Sequence, residues 1–303
     1  MWEKKEELGA GEFCTVYLAS YKSSSGNSIA AVKTARLDES TGLEKEARLL
    51  KELNGNPYVL QCYGEAISFE EDCGHVYSLF LEYANGGSLS DLIARYDYKM
   101  SESDVAKYTF MLLKGLSYIH EKGLIHCDIK PENILVFVDE EGYSYLKLAD
   151  FGESMKVGEK KTRFRGDPSY RPPESIKEGI EGPSADIWSL GYTVLKMMMG
   201  RKQIWKDYNH SEPAEIPNHV SETGKDFLMR CCFQVLPSSR WTADQLINHP
   251  FIQENIKEVI PILELKQRNF FKKNNHNPLG SWSATKGHLS PNLEPANLPV
   301  LCC

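Results

Sequence analysis

At Gly86-Gly87 the hydrophobic period of this chain changes, and that switch constrains the fold more than any other single feature. Before it, Leu8 to Val32 alternates short β-branched and aromatic runs with Gly26 and Ser/Asn turns, a pattern of hairpins. Leu43, Ala47, Leu50 and Leu53 then recur at helical spacing, and Val59 to Ala66 and Val76 to Tyr83 return to strand composition. After the glycines the pattern is helical. Helices are predicted over Ser88–Ala94 and Ser101–Glu121, where Ser101 precedes Asp104 at capping-box spacing, then over Ser184–Met199, Thr223–Phe233 and Asp244–Asn248. Strands first and helices second read as an α+β fold with a small β-rich lobe, holding one helix, and a larger helical lobe. Two short strands, Ile134–Val138 and Tyr145–Leu148 around the turn Asp139–Gly142, interrupt the helices and place their flanks at the lobe junction.

Those flanks carry the chemistry. His126-Cys127-Asp128-Ile129-Lys130-Pro131-Glu132-Asn133 precedes the two strands and Asp150-Phe151-Gly152 follows them. The arrangement sets a candidate base and two candidate magnesium ligands around one phosphate site, and it resembles the catalytic loop and metal-binding motif of eukaryotic protein kinases, a resemblance that puts the base on Asp128 and the magnesium ligands on Asn133 and Asp150. Phosphoryl transfer needs that set: a carboxylate near the acceptor hydroxyl, and metal and lysine charge to screen the phosphates.

Near the start, Gly9-Ala10-Gly11-Glu12-Phe13-Cys14-Thr15-Val16 suits a turn between strands, and equally a loop whose backbone amides approach phosphates. Lys33, in Ala31-Val32-Lys33, falls on the next predicted strand, and Glu46 on the following helix is its expected ion-pair partner, with Glu44 as rival. Each alone would be a solvated charge.

In order and spacing, the glycine loop, Lys33, Glu46, Asp128, Asn133, Asp150 and Glu174 resemble eukaryotic protein kinases, over about residues 2 to 252. The resemblance implies a two-lobed kinase fold: N-lobe about 2–81, hinge about 82–87, C-lobe about 88–252, then a tail over 253–303. It implies ATP and Mg²⁺ as cofactors, with Gly9, Ala10 and Gly11 near the phosphates and Val16, Ala31 and Leu135 on the adenine. Leu81 would guard the back of the pocket, and Glu82-Tyr83-Ala84 would bond the base through its backbone. Lys130 resembles the lysine by which serine/threonine kinases contact the transferred phosphate. Tyr170-Arg171-Pro172-Pro173-Glu174 is similar to the motif closing the activation segment, with Glu174 paired to Arg240. Asp186, in Asp186-Ile187-Trp188-Ser189-Leu190-Gly191, would accept backbone hydrogen bonds beneath the catalytic loop.

Within kinases, Leu81 to Leu89 and His126 to Lys130 look most like plant mitogen-activated protein kinase kinase kinases of the MEKK type. That likeness implies a downstream protein kinase as substrate, phosphorylated in its activation segment. The alternative is a nucleotide-binding pseudokinase scaffold, disfavoured by the intact Lys33, Asp128, Asn133 and Asp150. A small-molecule kinase is disfavoured by Tyr170–Glu174 and Asp186–Gly191. Three positions depart from the family pattern: Cys14 replaces a glycine, Cys127 an arginine and Asp167 a threonine. If it lies near Asp128, Asp167 either shares a proton with that carboxylate or swings toward Lys130; the second is the expectation, and it would divert Lys130 from the phosphate and slow turnover. Thr162, among Lys160, Lys161, Arg163 and Arg165, is the expected activating phosphosite.

Composition bounds the partners. A formal net charge of -7 argues against a nucleic-acid binder built on phosphate neutralisation. The longest late apolar run is interrupted by Lys196, the N-terminal residues lack an apolar signal core, and the 8 cysteines lack metal-site spacing. The expectation is a cytoplasmic protein, with nuclear entry open and no transmembrane segment. Beyond Phe251 one amphipathic helix is predicted over Ile252–Phe271, before a disordered end that holds Ser290-Pro291, a candidate proline-directed phosphosite, and Cys302-Cys303.

Overall fold

The computed structural model describes residues 2–11, 14–23, 26–96, 100–159, 167–179, 181–199 and 215–274. Its N-terminal part is a five-stranded antiparallel sheet in the order β1-β2-β3-β5-β4, from β1 (Trp2–Ala10), β2 (Thr15–Ser23), β3 (Gly26–Arg36), β4 (Cys62–Glu70) and β5 (Gly74–Leu81). Helix α1 (Thr41–Leu53) buries Leu43, Ala47, Leu50 and Leu53, the residues whose spacing predicts it, and Glu46 falls on the same buried side. The strand expected from Val59 starts later, at Cys62. Its first residues bond elsewhere: the Leu148 N–H donates to the Tyr58 carbonyl at 2.9 Å and the Leu60 N–H to the Leu148 carbonyl at 2.9 Å. Strand composition cannot say which strand a segment will pair with, and here the partner is β8 (Ser144–Leu148), which pairs with β7 (Ile134–Val138) in the other lobe.

The C-terminal part is helical. Helix α2 (Leu89–Arg95) starts with a complete capping box, Ser88 and Asp91 each bonding the other's backbone N–H. At Ser101, where the spacing suggests such a box, only half of it forms: Oγ accepts the Asp104 N–H at 3.1 Å but donates to the Asp104 carboxylate instead. Helix α3 (Glu102–Glu121) and helix α5 (Pro183–Met199) form the centre, with α4 (Pro173–Glu178), α6 (Glu222–Cys231), α7 (Ala243–Ile247) and α8 (Pro250–Ile256) around them. Helix α5 is buried nearly all round. Gly191 lets it approach α6, since a Cβ there would stand 2.7 Å from Cys231 and Cys232.

The single helix predicted over Ile252–Phe271 is two, α8 and α9 (Ile260–Asn274). Pro261 is the reason. It lacks an N–H and its ring would strike the carbonyl four residues earlier, so it is tolerated only in a first turn, and a new helix starts there. No described helix is long and apolar enough to cross a membrane.

Candidate active site

The catalytic loop is held from below. It follows β6 (Leu124–Ile125), which pairs with β9 (Met155–Lys156). Asp186, buried near the start of α5, accepts the backbone N–H groups of His126 at 2.8 Å and Cys127 at 2.9 Å, and meets His120 Nε2 at 2.8 Å. Cys127 sits at φ +67°, a conformation costing about 1–2 kcal/mol for an L-residue, and the charge-assisted bonds to Asp186 offset that strain. The buried His126 ring spans the loop: Nδ1 accepts the Asp128 N–H at 3.3 Å, so Nε2 carries the proton donated to the Ala149 carbonyl at 2.9 Å.

Asp128 therefore leaves the loop in a defined position. Asn133 Nδ2 donates to its backbone carbonyl at 3.0 Å and its Oδ2 at 2.6 Å, and Lys130 Nζ stands 2.9 Å from the same Oδ2. Burial alone would lower the Lys130 pKa, but Asp128 overrides it and holds the ammonium above its ordinary value. The loop presents an anchored carboxylate with a cation beside it.

From the other lobe, Lys33 Nζ lies 2.9 Å from Glu46 Oε2 and 3.3 Å from Asp150 Oδ1. Glu46 Oε1 accepts the Phe151 N–H at 3.3 Å, and the buried Phe151 ring packs on His126 with centroids 4.7 Å apart. The rival Glu44 accepts the Ser40 hydroxyl at 2.7 Å instead. Burial pushes the Glu46 carboxyl pKa up against the pull of Lys33. Burial would raise Asp150 too, but Lys33 and the Gly152 N–H hold it below the usual aspartate value. Asp150 stays ionised.

Above these groups lies one cavity, lined by Leu8, Val16, Ala31, Leu81 and Leu135, by the Glu82–Ala84 segment, and at its polar end by Lys33, Asn133 and Asp150. Apolar walls beside the Glu82–Ala84 segment suit a flat heterocycle, and Lys33 suits phosphate. Asn133 and Asp150 offer oxygen donors in the small number that suits a magnesium keeping waters and phosphate oxygens; among the described residues no cluster of three or more His, Cys, Asp or Glu forms a cage. ATP and a divalent cation fit this donor set. Gly9, Ala10 and Gly11 are not part of the wall; Gly11 closes the β1–β2 turn, donating to the Cys14 carbonyl at 2.8 Å. Sequence reasoning missed Leu8, which an apolar residue just before Gly9 signals in retrospect. It also missed Lys147, a lysine inside the apolar β8 whose Nζ lies 2.7 Å from each carboxylate oxygen of Glu82, wholly buried. Burial lowers the Lys147 pKa while Glu82 opposes the shift.

The remaining predicted residues fall in two groups. Glu174 and Arg240 form the expected pair, Nη2 to Oε2 at 2.9 Å, with Arg240 also bonding the carbonyls of Gln234 and Ser184. Asp167 departs from expectation: it is exposed, and its carboxylate accepts the Ser169 N–H at 2.8 Å to cap a short 3₁₀ turn over Pro168–Tyr170. It does not capture Lys130, which pairs with Asp128, because a carboxylate two residues before a free amide closes a local turn at less entropic cost than a long-range ion pair. Thr162 lies outside the described residues, as do Ser290 and Cys302-Cys303.

A strand lysine paired to a helix glutamate, a loop aspartate held by its own asparagine, and a second aspartate facing both across a cleft define a phosphotransferase site. The model of the protein kinase domain matches residues 2–252, and the chain belongs to the protein kinase family. Within that family it is similar to plant MAP kinase kinase kinases. It is 36% identical over 279 residues to mitogen-activated protein kinase kinase kinase 20 of Arabidopsis thaliana, covering 85% of this chain and 80% of that protein. To mitogen-activated protein kinase kinase kinase 18 of the same plant it is 36% identical over 278 residues, covering 86% of this chain and 79% of the relative.

Proposed function

We propose that this chain is an ATP- and Mg²⁺-dependent serine/threonine kinase of the MAP kinase kinase kinase type, whose substrate is a hydroxyl in the activation segment of a downstream protein kinase. The supporting observation is that Glu46, Lys33 and Asp150 are in contact across the lobes while Asp128, Asn133 and Lys130 are in contact below them. Bound ATP with its metal supplies the phosphoryl group and part of the charge screening. Asp128 orients the acceptor hydroxyl and takes its proton; Lys130, kept protonated, balances charge beside it. Lys33, fixed by Glu46, holds the phosphates, and Asn133 and Asp150 hold the metal. Nothing in this geometry favours a scaffold without turnover, because Asp167 leaves Lys130 in place.

The test is radiolabel transfer from ATP to catalytically inactive downstream kinases, with phosphoamino-acid analysis. Label on serine or threonine is expected, and Asp128→Asn should lower turnover by about 10² to 10⁴-fold, the usual weight of a general base, while ATP binding survives. Native-like turnover in that variant would remove Asp128 from its role, and label on tyrosine would overturn the specificity.

A further inference from the structure

Helix α9 lies beyond residue 252, where the kinase family match ends, yet it is bonded to both lobes behind the hinge. The Gln267 side chain is 1% exposed and its Nε2 donates to the Pro57 carbonyl at 2.7 Å, next to the Tyr58–Leu60 segment that bonds Leu148. On the other side Glu264 pairs with Lys114 at 3.2 Å and Lys266 with Glu141 at 2.7 Å. Between these anchors the Phe270 ring stacks on Tyr145, centroids 4.7 Å apart and planes 24° apart, and lies 5.8 Å from the Lys147 ammonium. The rings of Phe137 at 4.7 Å and Phe271 at 5.5 Å also face that ammonium. Lys147 is thus enclosed by aromatic rings and one carboxylate, that of Glu82, whose residue forms part of the cavity wall.

We infer that α9 is a positioning element for the nucleotide-binding hinge, with Phe270 acting through the buried Lys147–Glu82 pair. The inference rests on the ATP-dependent reading above. A charge pair in a low-dielectric enclosure is held at contact because separation without water is costly, and aromatic faces add cation–π attraction. Truncating Phe270 admits water to Lys147, screens the pair and frees the Glu82 side chain, so the hinge backbone loses the anchor that sets its position. The cofactor side is untouched: among the described residues, those lining the cavity all lie outside α9.

Calorimetric titration of the full chain with ATP and Mg²⁺ tests this, alongside thermal unfolding. Phe270→Ala should weaken ATP binding by about three- to thirty-fold, the span from a partly exposed to a desolvated cation–π contact, and Phe270→Tyr, which keeps the ring, should restore most of it. In a Lys147→Met background Phe270→Ala should add no further loss, since neighbours acting through one group are not additive. A Phe270→Ala protein that unfolds at a lower temperature but binds ATP as the native chain does would reduce α9 to a merely stabilising helix and overturn the inference. Equal weakening by Ala and Tyr would overturn it as well, whether or not Lys147→Met folds. Failure of the native chain to bind ATP would instead overturn the kinase reading itself.

Discussion

Asp167 shows how much one residue's local bonding decides. As a carboxylate in place of the family's threonine it invites an account in which Lys130 is drawn away from the phosphate. The structure ties that carboxylate to the Ser169 N–H and leaves Lys130 2.9 Å from Asp128. Because an exposed polar substitution away from the reacting atoms usually changes free energies by less than about 0.5 kcal/mol, Asp167→Thr should change the single-turnover rate at saturating ATP by no more than about two-fold. A gain of ten-fold would show that the carboxylate does reach Lys130 during the reaction. Cys127 behaves differently: its backbone, at φ +67° and bonded to Asp186, matters to the loop.

Among the elements, α8 carries a titratable cap. His249 is buried at its N-terminus, Nδ1 accepting the Phe251 N–H at 3.1 Å and Nε2 meeting the Asp226 carboxylate at 3.0 Å. A protonated ring would carry a hydrogen on Nδ1 and face the Phe251 N–H with a second donor. Burial depresses the His249 pKa below its ordinary 6.5, Arg230 adding to the shift and Asp226 and Glu254 opposing it. The unfolded chain therefore binds the proton more readily, so the contribution is full above the unfolded value of 6.5 and is lost as pH falls from there to the folded value. His249→Asn keeps an acceptor for the cap and removes the titration. The native chain should lose more thermal stability than the variant between about pH 7.5 and about pH 5.5, and parallel losses would exclude His249 as the source.

At the scale of the whole molecule, the lobes are coupled where charges meet: Lys33 of the sheet lobe touches Glu46 of its own helix and Asp150 of the other lobe. Glu46→Gln removes the charge that orients Lys33 and at the same time relieves the burial of a carboxylate. Turnover should fall on the order of 10²-fold, as misplacement of a positioning group by about an ångström does, while the unfolding temperature stays close to native because Asp150, 3.3 Å from Lys33, still compensates the buried ammonium. Loss of folding together with activity would mean that the pair holds the lobe together rather than orienting the lysine. Similar reasoning places the Glu174–Arg240 pair outside the chemistry, since it joins the end of the activation segment to the carbonyls around α5 and α6.

The sequence by itself determined the order of strands and helices, because side-chain periodicity records which face of an element is buried. Its resemblance to protein kinases also singled out Asp128, Asn133, Asp150, Lys33 and Glu46, which the structure brings together around one cleft. What it left open were choices between partners far apart in the chain. Val59–Leu60 reads as the start of a strand but bonds Leu148; Asp167 reads as a partner of Lys130 but caps its own turn; and one predicted tail helix splits at Pro261, its second half docking on Pro57 and Tyr145. The Lys147–Glu82 pair belongs with these. A lone lysine in an apolar strand has no local reason to be there, and only the tertiary structure, by excluding water from around it and bringing a carboxylate to it, decides that it remains buried.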